Sequence, residues 1–196
     1  MRVFTVLISA ALLLTATLPA ADRKQHSDVF TAGPADEAQL AKQIRHELLM
    51  LPYYSIFSDL YFELNGSVVT LRGACPPDPP WNIKSDAENV VKKVPGVTKV
   101  INEIRELPLS PMDWQIRRAV ARAIYGDPNI GTRYGYQALP PIHIIVDNGH
   151  VTLDGVVDNE FDATLIRTRA NEVPNVFSVT DDLTVLNKGG EKKVER

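Results

Sequence analysis

The sequence predicts an α+β fold of two tandem α-β-β-α-β units, each a three-stranded sheet with two helices packed on one face. Three observations carry this. The chain repeats itself: Val69-Thr70-Leu71-Arg72-Gly73 returns as Val151-Thr152-Leu153-Asp154-Gly155, and Val94-Pro95-Gly96-Val97 returns as Val173-Pro174-Asn175-Val176. Apolar residues keep a helical period on either side of each Val-Thr-Leu-x-Gly and alternate through it. Asn65-Gly66 and Asn148-Gly149 stand where each hairpin must turn. The first motif repeats at an offset of 82 residues and the second at 79, so the first unit carries three extra residues. They belong to the Pro-rich stretch Cys75 to Asn82, which reads as a loop.

In the first unit, Asp36 with Gln39 resembles a capping box, and Leu40, Ile44, Leu48 and Leu51 follow at helical spacing until Pro52 ends the helix. Leu60, Phe62 and Leu64 alternate as a strand, and Val69 and Leu71 give the returning strand its inner face. Ile83, Ala87, Val90, Val91 and Val94 form a second helical stripe. Residues 97–106 alternate as a third strand, with Val100 and Ile104 on one face. In the second unit, Met112, Ile116, Ala119, Val120 and Ala123 mark the first helix. Ile142, Ile144 and Val146 enter the Asn148-Gly149 turn. A two-residue turn then sets Val146 opposite Val151 and Ile144 opposite Leu153, all on one face. Ala163, Ile166, Ala170 and Val173 mark the last helix, and Val179, Leu183 and Val185 the last strand. Phe161 and Leu165 fall off that helix's stripe, which points to an interface on this unit.

The boundaries follow. Residues 1–20 have one charge, Arg2, an apolar run and Leu18-Pro19-Ala20, the pattern of a signal peptide cut after Ala20 or Ala21. Residues 21–35 read as a flexible lead-in, 36–107 as the first unit, 108–111 as a Pro-stiffened linker, 112–186 as the second unit and 187–196 as a disordered tail. Without Arg2 the chain has 20 basic against 24 acidic side chains, a charge that disfavours general nucleic-acid binding. Cys75 is the single cysteine, so an internal disulfide is excluded and a buried thiol is expected.

Gly149-x-Val151-Thr152-Leu153-x-Gly155 and the Val-Pro-Gly-Val before a final strand resemble the BON domain, an exported bacterial module of osmotically inducible and nodulation-type proteins. The resemblance covers residues 36–186, both repeats. The first copy reads Asn65-Gly66-Ser67-Val68, a turn one residue longer. The second has Asn175 in place of a glycine, a substitution compatible with a left-handed turn. The resemblance implies a non-enzymatic protein of the periplasm or the periplasmic face of the envelope, and phospholipid binding as its activity.

The residues themselves offer no catalytic constellation: there is no Gly-x-Ser-x-Gly elbow, His-Glu-x-x-His or phosphate-cradling loop. Neither a cofactor nor a metal is expected. His143 and His150 should share one hairpin face, opposite Asp154 and Asp147, about 13 Å apart and too far for one ion. The sharper signal is the first helix of the second unit. With Met112 at 0°, its apolar stripe centres near about 30°, and Trp114 and Tyr125 fall near about 200° and 220°. Arg117, Arg118 and Arg122 flank them, and Tyr134 and Tyr136 lie in the loop that follows. Trp114, Arg117, Arg118, Arg122, Tyr125, Tyr134 and Tyr136 are therefore the candidate contacts with an anionic phospholipid membrane surface in envelope maintenance or stress tolerance. The competing expectation is that Trp114 packs against the first unit. On that reading the protein is an interaction module that docks to an envelope protein or self-associates through the second unit. Tyr53, Tyr54 and Trp81 read as core or loop anchors.

Overall fold

The computed structural model describes residues 35–77 and 82–187. The first unit runs α1 (Ala35–Leu49), β1 (Asp59–Asn65), β2 (Val68–Cys75) and α2 (Ile83–Val91), then β3 (Lys99–Asn102) and β4 (Arg105–Glu106). The second runs α3 (Pro111–Tyr125), α4 (Pro128–Tyr134), β5 (Ile142–Asp147), β6 (His150–Asn159), α5 (Glu160–Asn171) and β7 (Ser178–Asn187). The expected signal peptide, Trp81 and most of the expected lead-in and tail lie outside the described residues; position 35 already opens α1 and position 187 closes β7.

Each sheet is an antiparallel hairpin extended by a parallel strand, in the orders β1-β2-β3 and β5-β6-β7. The parallel pairing follows from the helical crossover before the last strand. The predicted helix stripes form the cores: Leu40, Ile44, Leu48, Ile83, Ala87 and Val91 in the first unit, and Ile116, Val120, Ala163, Ile166 and Ala170 in the second. The predicted hairpin register holds, with Val146 opposite Val151, Ile144 opposite Leu153, His143 opposite Asp154 and Asp147 opposite His150.

The structure departs from expectation in three places. Residues 97–106 are not one strand. Asn102 turns its side chain back to accept the Ile104 amide at 3.2 Å and donates to Lys84 O at 2.8 Å, splitting the strand into β3 and β4. The first hairpin turn is not longer than the second. Asn65 pairs with Val68, so Gly66-Ser67 is also a two-residue turn. Only Gly66 has positive φ there, whereas Asn148 and Gly149 both do, so the two hairpins use the two different mirror-image turns. The segment after α3 is not a bare loop, because Asp127 caps the short α4, accepting the Asn129 amide at 2.9 Å, with Pro128 as its first residue. Asn175 behaves as expected, at φ 69° where the first copy has Gly96 at 99°.

The glycine that closes each Val-Thr-Leu-x-Gly has the same physical cause twice. Gly73 and Gly155 have φ of 110° and 134°, and a Cβ on them would stand 2.0 Å from Asp59 O and 1.9 Å from Pro141 O. The neighbouring strand's backbone occupies the side-chain position, so no rotamer relieves the clash. Gly66 has positive φ but open space around it. Gly155→Ala is expected to cost several times more stability than Gly66→Ala, which should cost about 1 kcal/mol. Urea unfolding of the two variants side by side measures the difference.

Candidate functional site

The candidate site is α3 and what it covers. Ser110 caps the helix, its hydroxyl accepting the Asp113 amide at 3.1 Å, and Pro111 supplies the first turn. Asp113, 1% exposed, points its carboxylate at the hairpin turn. It accepts the Asn148 amide at 3.0 Å and the Gly149 amide at 2.9 Å. One helical turn on, Arg117 is fully buried. Its guanidinium donates to Val146 O at 2.6 Å and lies 5.1 Å from the Trp114 ring centroid, within cation–π range. At the end of the helix, Tyr125 donates its hydroxyl to Ile142 O at 2.7 Å. Burial raises that phenol's pKa well above the usual tyrosine range, so it stays a donor.

These contacts share a purpose. β5 is an edge strand of its sheet. A two-residue turn makes Asp147 and His150 a hydrogen-bonded pair, so alternate residues Val146, Ile144 and Ile142 turn their backbone groups away from β6. Val146 O is taken by Arg117, Ile142 O by Tyr125, and the Ile144 amide donates to Ile56 O of the first unit at 2.7 Å. The edge is thereby covered from both sides of the molecule.

This changes the membership of the sequence-derived patch. Arg117 and Tyr134, 0% and 3% exposed, are interior residues and cannot meet a membrane surface. Tyr134 donates its hydroxyl to Asp162 at 2.6 Å and accepts the Asp158 amide at 2.9 Å. Trp114 is half-buried and meets Phe57 of the first unit edge-on, centroids 5.9 Å apart, so the inter-unit packing expected as the alternative is present. Tyr125 is half-buried. Arg118, Arg122 and Tyr136 are exposed, Tyr136 at 84%. The error lies in the helical wheel. Met112, assigned to the core, is 50% exposed, while Asp113 and Arg117 are buried beside Ile116, Val120 and Ile124. The buried face therefore centres near about 95°, not 30°. A stripe drawn from apolar residues alone misses a core face that contains two charged side chains.

Two further buried carboxylates escaped the sequence reading. Asp127 receives Arg169 at 2.9 and 3.0 Å, and Asp162 receives Arg133, Tyr134 and Asn159. Together they clamp α4 onto α5. The Asn129 amide, with the Arg169 guanidinium, holds Asp127 below the usual carboxylate range. The signal was Asp127-Pro128, a cap followed by a first-turn proline. His150 is engaged locally, its Nδ1 2.7 Å from Ser178 Oγ and its ring against Phe177. Phe161 is exposed. Cys75 is buried, and burial pushes its thiol up to about 11, which makes it a poor nucleophile. Among the described residues no group of three His, Cys, Asp or Glu is placed to hold a metal ion.

Removing the Asp113 carboxylate leaves two turn amides without their acceptor, so Asp113→Ala should cost about 2–3 kcal/mol. Tyr125→Phe should cost about 1 kcal/mol by the same reasoning. Arg118→Ala, on the exposed side, should stay within about 0.5 kcal/mol of wild type. Urea denaturation of the three variants tests this ordering.

Comparison with known proteins adds a family. A model of the BON domain matches residues 113–187. No curated protein matches the chain. Among solved structures, the C-terminal domain of CdsD, the structural protein of the type III secretion system of Chlamydia trachomatis, is similar over 74% of this chain and 96% of its own, at 13% identity and a TM-score of 0.30. A second CdsD structure is similar over 76% and 92%, at 15% identity and a TM-score of 0.27. The family match starts at the carboxylate that holds the hairpin turn and ends with the last strand: the second unit of this chain is a BON domain.

Proposed function

We propose that this protein is a non-enzymatic, exported module of the bacterial envelope that binds anionic phospholipid surfaces peripherally, through the outward side of α3. Its first unit is, on this reading, a second and more diverged BON copy. The shared element order and the identical job of Gly73 and Gly155 support that assignment. Membership of the second unit in the BON family supports a place in the periplasm or on the periplasmic face of the envelope. No helix of the described residues is long and apolar enough to cross a membrane.

One observation carries the lipid reading. Arg72, Arg105, Arg133, Arg167 and Arg169 each pair with a carboxylate. Arg118 and Arg122, four residues apart on the exposed side of α3, have no ion pair among the described residues. Two guanidinium groups without a carboxylate partner among the described residues suit phosphate headgroups, each adding about 1 kcal/mol near an anionic surface. A non-catalytic role is consistent with carboxylates saturated by protein partners and a thiol with a raised pKa. Phe161 and Phe177, both exposed and outside α3, favour the second reading, docking to an envelope protein or self-association.

Co-sedimentation with vesicles separates the two. Wild type should bind phosphatidylglycerol-containing vesicles, bind less in high salt, and ignore pure phosphatidylcholine. Arg118→Glu with Arg122→Glu should abolish binding without altering thermal unfolding. Undiminished binding by the double variant, or equal binding to neutral vesicles, refutes the lipid reading.

A further inference from the structure

The two units meet along a short seam. Residues 54–58, between α1 and β1, lie against β5. Tyr53, at the entry to this strip, is held at φ 68°, a left-handed conformation that L-residues avoid. The Ile144 amide donates to Ile56 O at 2.7 Å, Phe57 meets Trp114, and the Tyr54 ring stands 6.0 Å from the His143 ring. His143 Nδ1 is 2.6 Å from Ser58 O. A carbonyl can only accept, so this nitrogen carries the proton and the neutral ring already makes the bond. Behind the seam, Ala74 and Leu107 of the first unit enclose Ile145, and Arg105 pairs with Asp147.

We propose that this seam is an acid-sensitive latch, held shut by neutral His143 and loosened when that imidazole takes a second proton. It is independent of the lipid reading, because it concerns only how the two units hold each other.

The groups facing the ring define the balance. From the first unit come the Ser58 and Ser55 carbonyls and the Tyr54 ring, with Asp59 and Tyr61 further along β1; from β6, across the strand pair, comes Asp154. The carbonyls and Asp154 favour the imidazolium. Burial opposes it more strongly and sets the pKa of His143 below the ordinary value of 6.5. A histidine whose pKa is lower in the closed seam than in the open one takes its proton preferentially when open. The latch is therefore fully closed above about pH 6.5 and weakens as pH falls below that. Opening uncovers Trp114 and Ile145 and releases the Ile144 amide.

Nitrogen-15 and carbon-13 NMR of the full chain tests the latch through two readouts. The ring carbon of His143 should titrate below 6.5. The protection of the Ile144 amide against hydrogen exchange, corrected for the intrinsic rate, should fall several-fold between pH 7.5 and pH 5, while amides of the β6–β7 ladder keep theirs. His143→Gln, which preserves a neutral donor, should remove the pH dependence and keep Ile144 protected at pH 5. Phe57→Ala should lower Ile144 protection at every pH. The latch is overturned if Ile144 protection is flat with pH in wild type, falls equally in His143→Gln, or falls together with the β6–β7 ladder.

Discussion

A sheet edge must be covered, and in the second unit that requirement organises the molecule. β5 turns the backbone groups of Ile142, Ile144 and Val146 away from β6, its strand partner among the described residues, and open backbone groups on an edge invite a foreign strand. Arg117 and Tyr125 cover two of these groups from α3 and Ile56 covers a third from the first unit. Each choice has a consequence. A guanidinium inside the protein must have its polar head engaged, and Val146 O and the Trp114 ring both meet it there. Trp114 is then fixed on the side where Phe57 arrives, so covering an edge also fixes where the two units touch.

The duplicated motif looks like a signature of activity and is one of geometry. Val-Thr-Leu-x-Gly combines two inward apolar residues with a position where the neighbouring strand's carbonyl leaves no room for Cβ. The second motif turns the chain through a left-handed residue, glycine in one copy and asparagine in the other. What distinguishes the copies is α4, which two buried carboxylates tie to α5, and the charged side chains beneath α3.

The fold was legible because its determinants are local and periodic. The helix stripes at Leu40, Ile44 and Leu48 and at Ala163, Ile166 and Ala170, and the register around Asn148-Gly149, needed only spacing and turn chemistry. The strand break after Asn102 was not legible, since it depends on that side chain meeting Lys84, which is distant in sequence. The site was legible only in part for the same reason. A helical wheel assigns charged residues to solvent, and nothing local announces that Asp113 and Arg117 will find buried backbone partners on a hairpin 29 to 36 residues away. Arg118 and Arg122, which have no such partner, were placed correctly on the exposed side.

Asp113 has one more consequence, for the connection between the units. Arg105, just before the linker, grips Asp147, and Asp113, just after it, grips Asn148 and Gly149. Both ends of the intervening chain are fastened to the same hairpin, so the linker closes a small loop instead of acting as a tether. Its contour length then has little influence on where the units sit. Lengthening such a loop costs only about 0.6 kcal/mol per doubling. The arrangement of the two units follows from contacts made on the hairpin, and Pro111 serves the first turn of α3 rather than the spacing between the units.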